Sequence, residues 1–144
     1  MEQIFNKISD QIYSELKNGE YLTLSLQGEN SQFIRINNAK IRQTGLINNT
    51  DIAFDLINDK RNCQGQITLS GDYETDYQRA VEEMNRLRAE IVQLPDDPFI
   101  VLPENTGSTR ENKKANGLAA EKAVDALIPV MAGVDLVGIW SSGR

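Results

Sequence analysis

The chain has no histidine among its 144 residues and a single cysteine, Cys63. Without imidazole there is no Ser-His or Cys-His nucleophile pair and no zinc site built on His ligands. One thiol can form neither an internal disulfide nor a thiolate cluster, which fits a reducing cytosol. No aromatic ladder accompanies the cations Arg35 and Arg42, as stacking on single-stranded nucleic acid would require. Long apolar runs are also missing. The opening "MEQIFNKISDQIY" is amphipathic throughout, so it reads as neither a secretory signal nor a membrane span. The Asn48-Asn49-Thr50 acceptor triplet is therefore read as a loop rather than a glycosylation site. A surplus of cations is lacking too: the net charge of −6 argues against a general polyanion binder. Carboxylate, lysine and tyrosine chemistry remain open.

What is present is ordinary globular composition, 40% hydrophobic and 25% charged, in a length that suits one domain with a core. Ile4, Ile8, Ile12 and Leu16 recur in steps of four, which predicts a first helix closed by "KNG", with Gly19 left-handed. "YLTLSLQ" alternates as a half-buried strand. "QFIRIN" and "KIRQTG" follow as the two arms of a hairpin around "NAK", then come the strands "TDIAFDLIND" and "CQGQITLS". From Tyr77 to Val92 the period becomes helical, and Thr75 with Gln78 reads as a capping box. "FIVLP" reads as a strand or a segment lying across the core, and 104–117 as a mobile loop rich in turn formers. A last helix, ended or kinked at Pro129, and a last strand, "VDLVGIW", complete the order. The expected class is α+β, a mostly antiparallel sheet of five or six strands with helices packed on one face. Its core face is expected to hold Leu24, Ile34, Ile36 and Phe54 under the helix at Tyr77–Val92.

Several patterns imitate sites. Asp72, Glu74, Asp76 and Glu83 fall at calcium-loop spacing, but the sixth position is Tyr77 where the sharp turn needs glycine. Acids at a helix start complement the dipole in any case. "GSTRENKK" lacks the second glycine of a phosphate loop. Asp51, Asp55 and Asp59 read as the wet face of a strand, and Cys63 as a small buried hydrophobe in the row of Ile67 and Leu69. In "SQFIRINNAKIRQTG", Ile34, Ile36 and Ile41 belong to the covered face. Arg35 and Arg42 then stand exposed, with Thr44 on the same row as Arg42. These three are the candidate peptide- or partner-facing residues. No catalytic and no metal-ligating residue is predicted.

The order "NSQFIRINNAKIRQTG", a strand, "NDKRNCQGQITLS" with Gly65, and then "DYQRAVEEMNRLRAEIV" resembles the N-terminal domain of the TldD/PmbA metallopeptidase family, also labelled modulators of DNA gyrase. "INNTDIAFD" departs from it, standing where the family often has a glycine-rich approach. The resemblance implies that residues 1–144 are a non-catalytic N-terminal domain that lacks the C-terminal metal-binding domain. Alone it would be inactive, with no cofactor of its own. Zinc would belong to a C-terminal His-Glu-x-x-x-His motif, absent here, or to an active partner of a metal-free subunit. The implied role is to shape the entrance for extended, unfolded or small peptides, or a subunit contact in a cytoplasmic homo- or hetero-dimer. The implied partners are thus its own C-terminal domain, a related subunit and peptides. The lack of an apolar span argues against a membrane, and nucleic acid, carried only by the gyrase label and by Arg35, Lys40 and Arg42, is the weakest reading. The other reading is a stand-alone interaction module that pairs strands or helices with another protein.

Overall fold

The computed structural model describes residues 1–102, 104, 107–114 and 117–143. Three helices, α1 (Glu2–Ser14), α2 (Tyr73–Ile91) and α3 (Ala120–Met131), accompany strands β1 (Glu20–Asn37), β2 (Lys40–Asn58), β3 (Arg61–Thr68) and β4 (Gly138–Gly143). The strands form one antiparallel sheet in the order β3-β2-β1-β4. The class is α+β, as the patterning predicts, but the strands number four among the described residues. "YLTLSLQ" and "QFIRIN" are one strand, and so are "KIRQTG" and "TDIAFDLIN". The expected breaks, 28–31 and 46–49, are rich in turn formers. In a hairpin, however, the ladder of a neighbouring strand satisfies such backbone as well as a turn does.

The chain divides into two compact units, Met1–Gln27 with Thr50–Thr106 and Gly28–Asn49 with Gly107–Arg144. Both long strands pass from one unit to the other. In the first unit, α1 and α2 cover Ile52, Phe54, Leu56 and Cys63, with Leu22 and Leu24 packed alongside. In the second, Ile34 and Ile36 pack with Ala123 and Met131 of α3, joined by Ile41, Leu136 and Trp140. This corrects the single core face expected from the sequence. Leu24 and Phe54 do share a cluster with α2, but Ile34 and Ile36 belong to the other one. The uninterrupted strands are the reason, since one strand contributes its inward residues to two clusters.

Local details differ in instructive ways. Helix α2 is capped by Asp72, whose side chain accepts the Thr75 N–H at 2.9 Å, not by a Thr75–Gln78 box. Gly19 is left-handed as expected (φ 87°), but α1 ends at Ser14, one turn earlier. Pro129 lies within the last turn of α3, where it removes the N–H that the Asp125 carbonyl would receive. The final strand starts at Gly138, later than "VDLVGIW" suggests. "FIVLP" forms no strand in its described residues and does not cross the core: Phe99 and Val101 are 86% and 84% exposed. Of the expected mobile loop 104–117, residues 105, 106, 115 and 116 lie outside the described residues. The others are exposed and without regular structure. No helix among the described residues is long and apolar enough to cross a membrane.

Candidate functional site

An open sheet has two edges, each a row of backbone groups able to pair with another chain. The two edges of this sheet are treated differently. On α2, Arg79, Glu83 and Arg86 fall on one stripe, spaced four and three residues apart, and that stripe lies along the outer edge of β3. Arg79 Nη1 donates to the Thr68 carbonyl at 3.4 Å, and Arg86 Nη2 to the Gln64 carbonyl at 3.3 Å. Between them, the Glu83 carboxylate accepts the Gln66 backbone N–H. Residues 64, 66 and 68 are alternate positions, so the capped groups point the same way out of the ladder. Gly65 permits the arrangement, because a Cβ there would collide with the Glu83 carboxylate. Arg86 secures that carboxylate through Nη2 at 2.7 Å and Nε at 2.9 Å, and also binds Glu90. Hydrogen bonding from Arg86 holds Glu83 below the usual carboxylate range, and Glu83 in turn raises Arg86.

Among the described residues the β4 edge carries no such caps. No side-chain hydrogen bond among the described residues reaches a β4 backbone group. On its inner side β4 pairs with β1, placing Ile34 opposite Trp140, Arg35 opposite Ile139 and Phe33 opposite Ser141. Opposed residues share a face. Ile34 and Trp140 therefore point toward α3, while Arg35 and Ile139 point to solvent, with Ile139 70% exposed.

Arg35, Arg42 and Thr44 are all exposed. No side-chain hydrogen bond joins them, and Arg42 Nε donates instead to the Asn37 carbonyl at 3.2 Å, bracing the hairpin turn. That turn is Asn38-Ala39, with φ of 50° and 52°, the two-residue geometry whose twist suits a hairpin. Ala39 N–H donates to the Leu136 carbonyl at 3.0 Å. Further along β2, Gly45 lies against the Phe33 ring, where a Cβ would not fit. Ile41 packs in the α3 cluster, whereas Phe33 lies on the opposite face of β1 from Ile34 and Ile36. Regular alternation would put 41 and 45 on one face, so β2 takes up an extra residue between them. Thr44 sits within this irregular stretch, and strand parity does not fix its side.

The acidic patterns are all structural. Asp72 is the cap of α2. Asp76 is fully buried and accepts from Ser70 N (2.7 Å), Ser70 Oγ (2.8 Å) and Gly71 N (2.9 Å). Asp51 accepts from Thr68 Oγ1 at 2.6 Å, Asp55 accepts from Asn62 and from Gln64 (3.2 Å), and Asp59 stands in the β2–β3 turn with φ 54° rather than on a strand face. An open hollow of about 450 Å³ on the first unit is lined by Thr23, Ser25, Gln27, Asp55, Gln64 and Gln66 among others, and its one carboxylate is already engaged. Cys63 is buried, and burial pushes its thiol up, away from a nucleophile's range. Among the described residues no group of three or more His, Cys, Asp or Glu could hold a metal ion. With no imidazole and a single buried thiol, this donor set does not fit zinc.

The edge caps, and the buried acceptor role of Asp76, were not evident from the sequence. Their signals were legible only as a charged stripe at positions 79, 83 and 86 and as Ser-Gly ahead of an acidic helix start.

No family model matches the chain, and no curated protein matches it. A solved structure from Thermotoga maritima, described as a "putative modulator of a DNA gyrase", is similar in fold, with a TM-score of 0.54 at 16% identity. The likeness covers 84% of this chain and 27% of that one, so this chain spans about a quarter of that protein's length.

Proposed function

We propose that the chain is a non-catalytic domain of a protein built like that gyrase-modulator-type structure, an N-terminal domain of the TldD/PmbA kind. It acts by adding an extended segment to the free edge of β4. In a peptidase or its metal-free partner subunit, that segment is a peptide held at the entrance to the catalytic domain, or a strand of a related subunit. The same edge would serve a stand-alone interaction module. The setting is cytoplasmic, and catalysis and zinc belong to the parts of the assembly that carry histidine. The observation that carries the reading is the asymmetry of the edges: three α2 side chains close β3, and among the described residues no side chain closes β4. Main-chain pairing makes little demand on sequence, which suits varied unfolded substrates.

The test is calorimetric titration of the full chain with a short Val/Thr peptide and two copies N-methylated at alternate residues, each blocking one edge of the peptide. One copy is expected to bind like the parent and the other not at all. Equal binding by both copies, or no binding by the parent, would overturn the proposal.

A further inference from the structure

The two units divide the charge unevenly. The first holds seven Lys/Arg against sixteen Asp/Glu, a net of −9, and the second holds eight against five, a net of +3. The whole-chain value of −6 hides this, because the cationic unit is assembled from two segments distant in sequence. The hairpin segment Gly28–Asn49 concentrates it, with Arg35, Lys40 and Arg42 against Glu29 alone. All three cations are exposed. The uncapped edge of β4 belongs to this same unit.

The register turns that charge into a rule for side chains. Arg35 stands directly opposite Ile139 on the solvent face. A strand added beside β4 would place one residue next to Ile139 on that face, two strand spacings or about 10 Å from β1. A glutamate there and Arg35 can close this gap from opposite sides, meeting over the exposed Ile139 side chain. The alternate residues of the added strand would lie on the face of Trp140, which is apolar and half-buried. We infer that the partner recognised at the β4 edge is an extended acidic segment with carboxylates and apolar residues in alternation. A polynucleotide suits the surface less well, since Ile139, Val137 and Leu46 are exposed in the same unit and offer no stacking rings.

This inference rests on strand pairing at β4, and the experiment separates the two. The full chain is titrated with three peptides of one length, alternating Val with Glu, Gln or Lys, at low and at high salt. The Glu peptide is expected to bind about fivefold more tightly than the Gln peptide, the scale of one exposed ion pair. Arg35→Gln should remove that difference while leaving Gln-peptide binding and the melting temperature unchanged. High salt should do the same. If Glu and Gln peptides bind equally, the charge inference fails while strand pairing stands. If none binds, both fail. Tighter binding of a single-stranded oligonucleotide than of the Glu peptide would also overturn it.

Discussion

Arg88 of α2 grips Glu20 at the start of β1 with two parallel bonds, Nε to Oε1 at 2.8 Å and Nη2 to Oε2 at 2.9 Å. The Glu20 side chain is only 3% exposed and that of Arg88 16%. Nη2 also reaches the Glu15 carbonyl at 2.9 Å, and the Lys17 N–H donates to Glu20 Oε2 at 2.8 Å. One ion pair thus ties the end of α1, the first strand and the long helix. Removing one partner from a pair this enclosed leaves the other charge stranded, so Arg88→Met should cost about 3–5 kcal/mol in urea unfolding.

The same pair sets a pH dependence. Hydrogen bonding from Arg88 holds Glu20 below its usual 4.5, so the unfolded chain takes up the proton first. The stability it contributes is fully present above that usual value and disappears as pH falls through the lower folded value. Wild type should therefore lose more stability than Glu20→Gln between about pH 5 and pH 2. Urea midpoints across that range give the comparison, and parallel curves would count against the pair.

Gly65→Ala should destabilise by about 1–3 kcal/mol, the usual range for overpacking, by driving the Glu83 carboxylate off the β3 edge. Glu83→Ala in the same chain should recover much of the loss, because the collision is with that side chain. A double-mutant cycle on thermal melts measures the coupling. Replacing Arg79, Glu83 and Arg86 together with alanine should expose the β3 edge and raise self-association, read by sedimentation.

Asp76→Ala leaves the Ser70 and Gly71 N–H groups without their acceptor. It should cost at least about 2 kcal/mol, since each stranded buried donor is worth about 1–3. Calcium titration of the wild type should give no saturable heat at this acidic cluster, because Asp76 is already engaged.

The two clusters can be probed apart, because the only tryptophan, Trp140, reports on the second. Ile34→Ala should lower the unfolding midpoint seen by tryptophan fluorescence at least as much as the one seen by helical circular dichroism. Phe54→Ala, costing about 3–5 kcal/mol, should act first on the helical signal. Arg35→Ala and Arg42→Ala should leave both nearly unchanged, since exposed charges contribute little.

The sequence made the α+β class, the hairpin at 32–45 and the inward set Ile34, Ile36 and Ile41 legible, because alternation and period speak directly of burial. The continuity of β1 and β2 was not legible. Gly28, Asn30, Asn48 and Asn49 are turn formers locally, and only a neighbouring strand tells them to stay extended. Two clusters instead of one followed from that. The edge caps were hidden for a related reason: Arg79, Glu83 and Arg86 look like any solvated helix face until β3 lies beside them. Arg35 and Arg42 were correctly placed on the surface, but their unit's positive charge appears only once 28–49 and 107–144 are brought together.

The central claim is that β4 is a free, pairing-competent edge, and amide hydrogen exchange followed by NMR tests it most directly. In the free chain, alternate β4 amides among Ile139–Ser142 should exchange rapidly while their neighbours, bonded to β1, are protected. Adding an extended Val/Glu peptide should slow the rapid set selectively and leave β3 unaffected. Uniform protection of β4 before any peptide is added, or new protection at Gln64–Thr68 instead, would contradict the account.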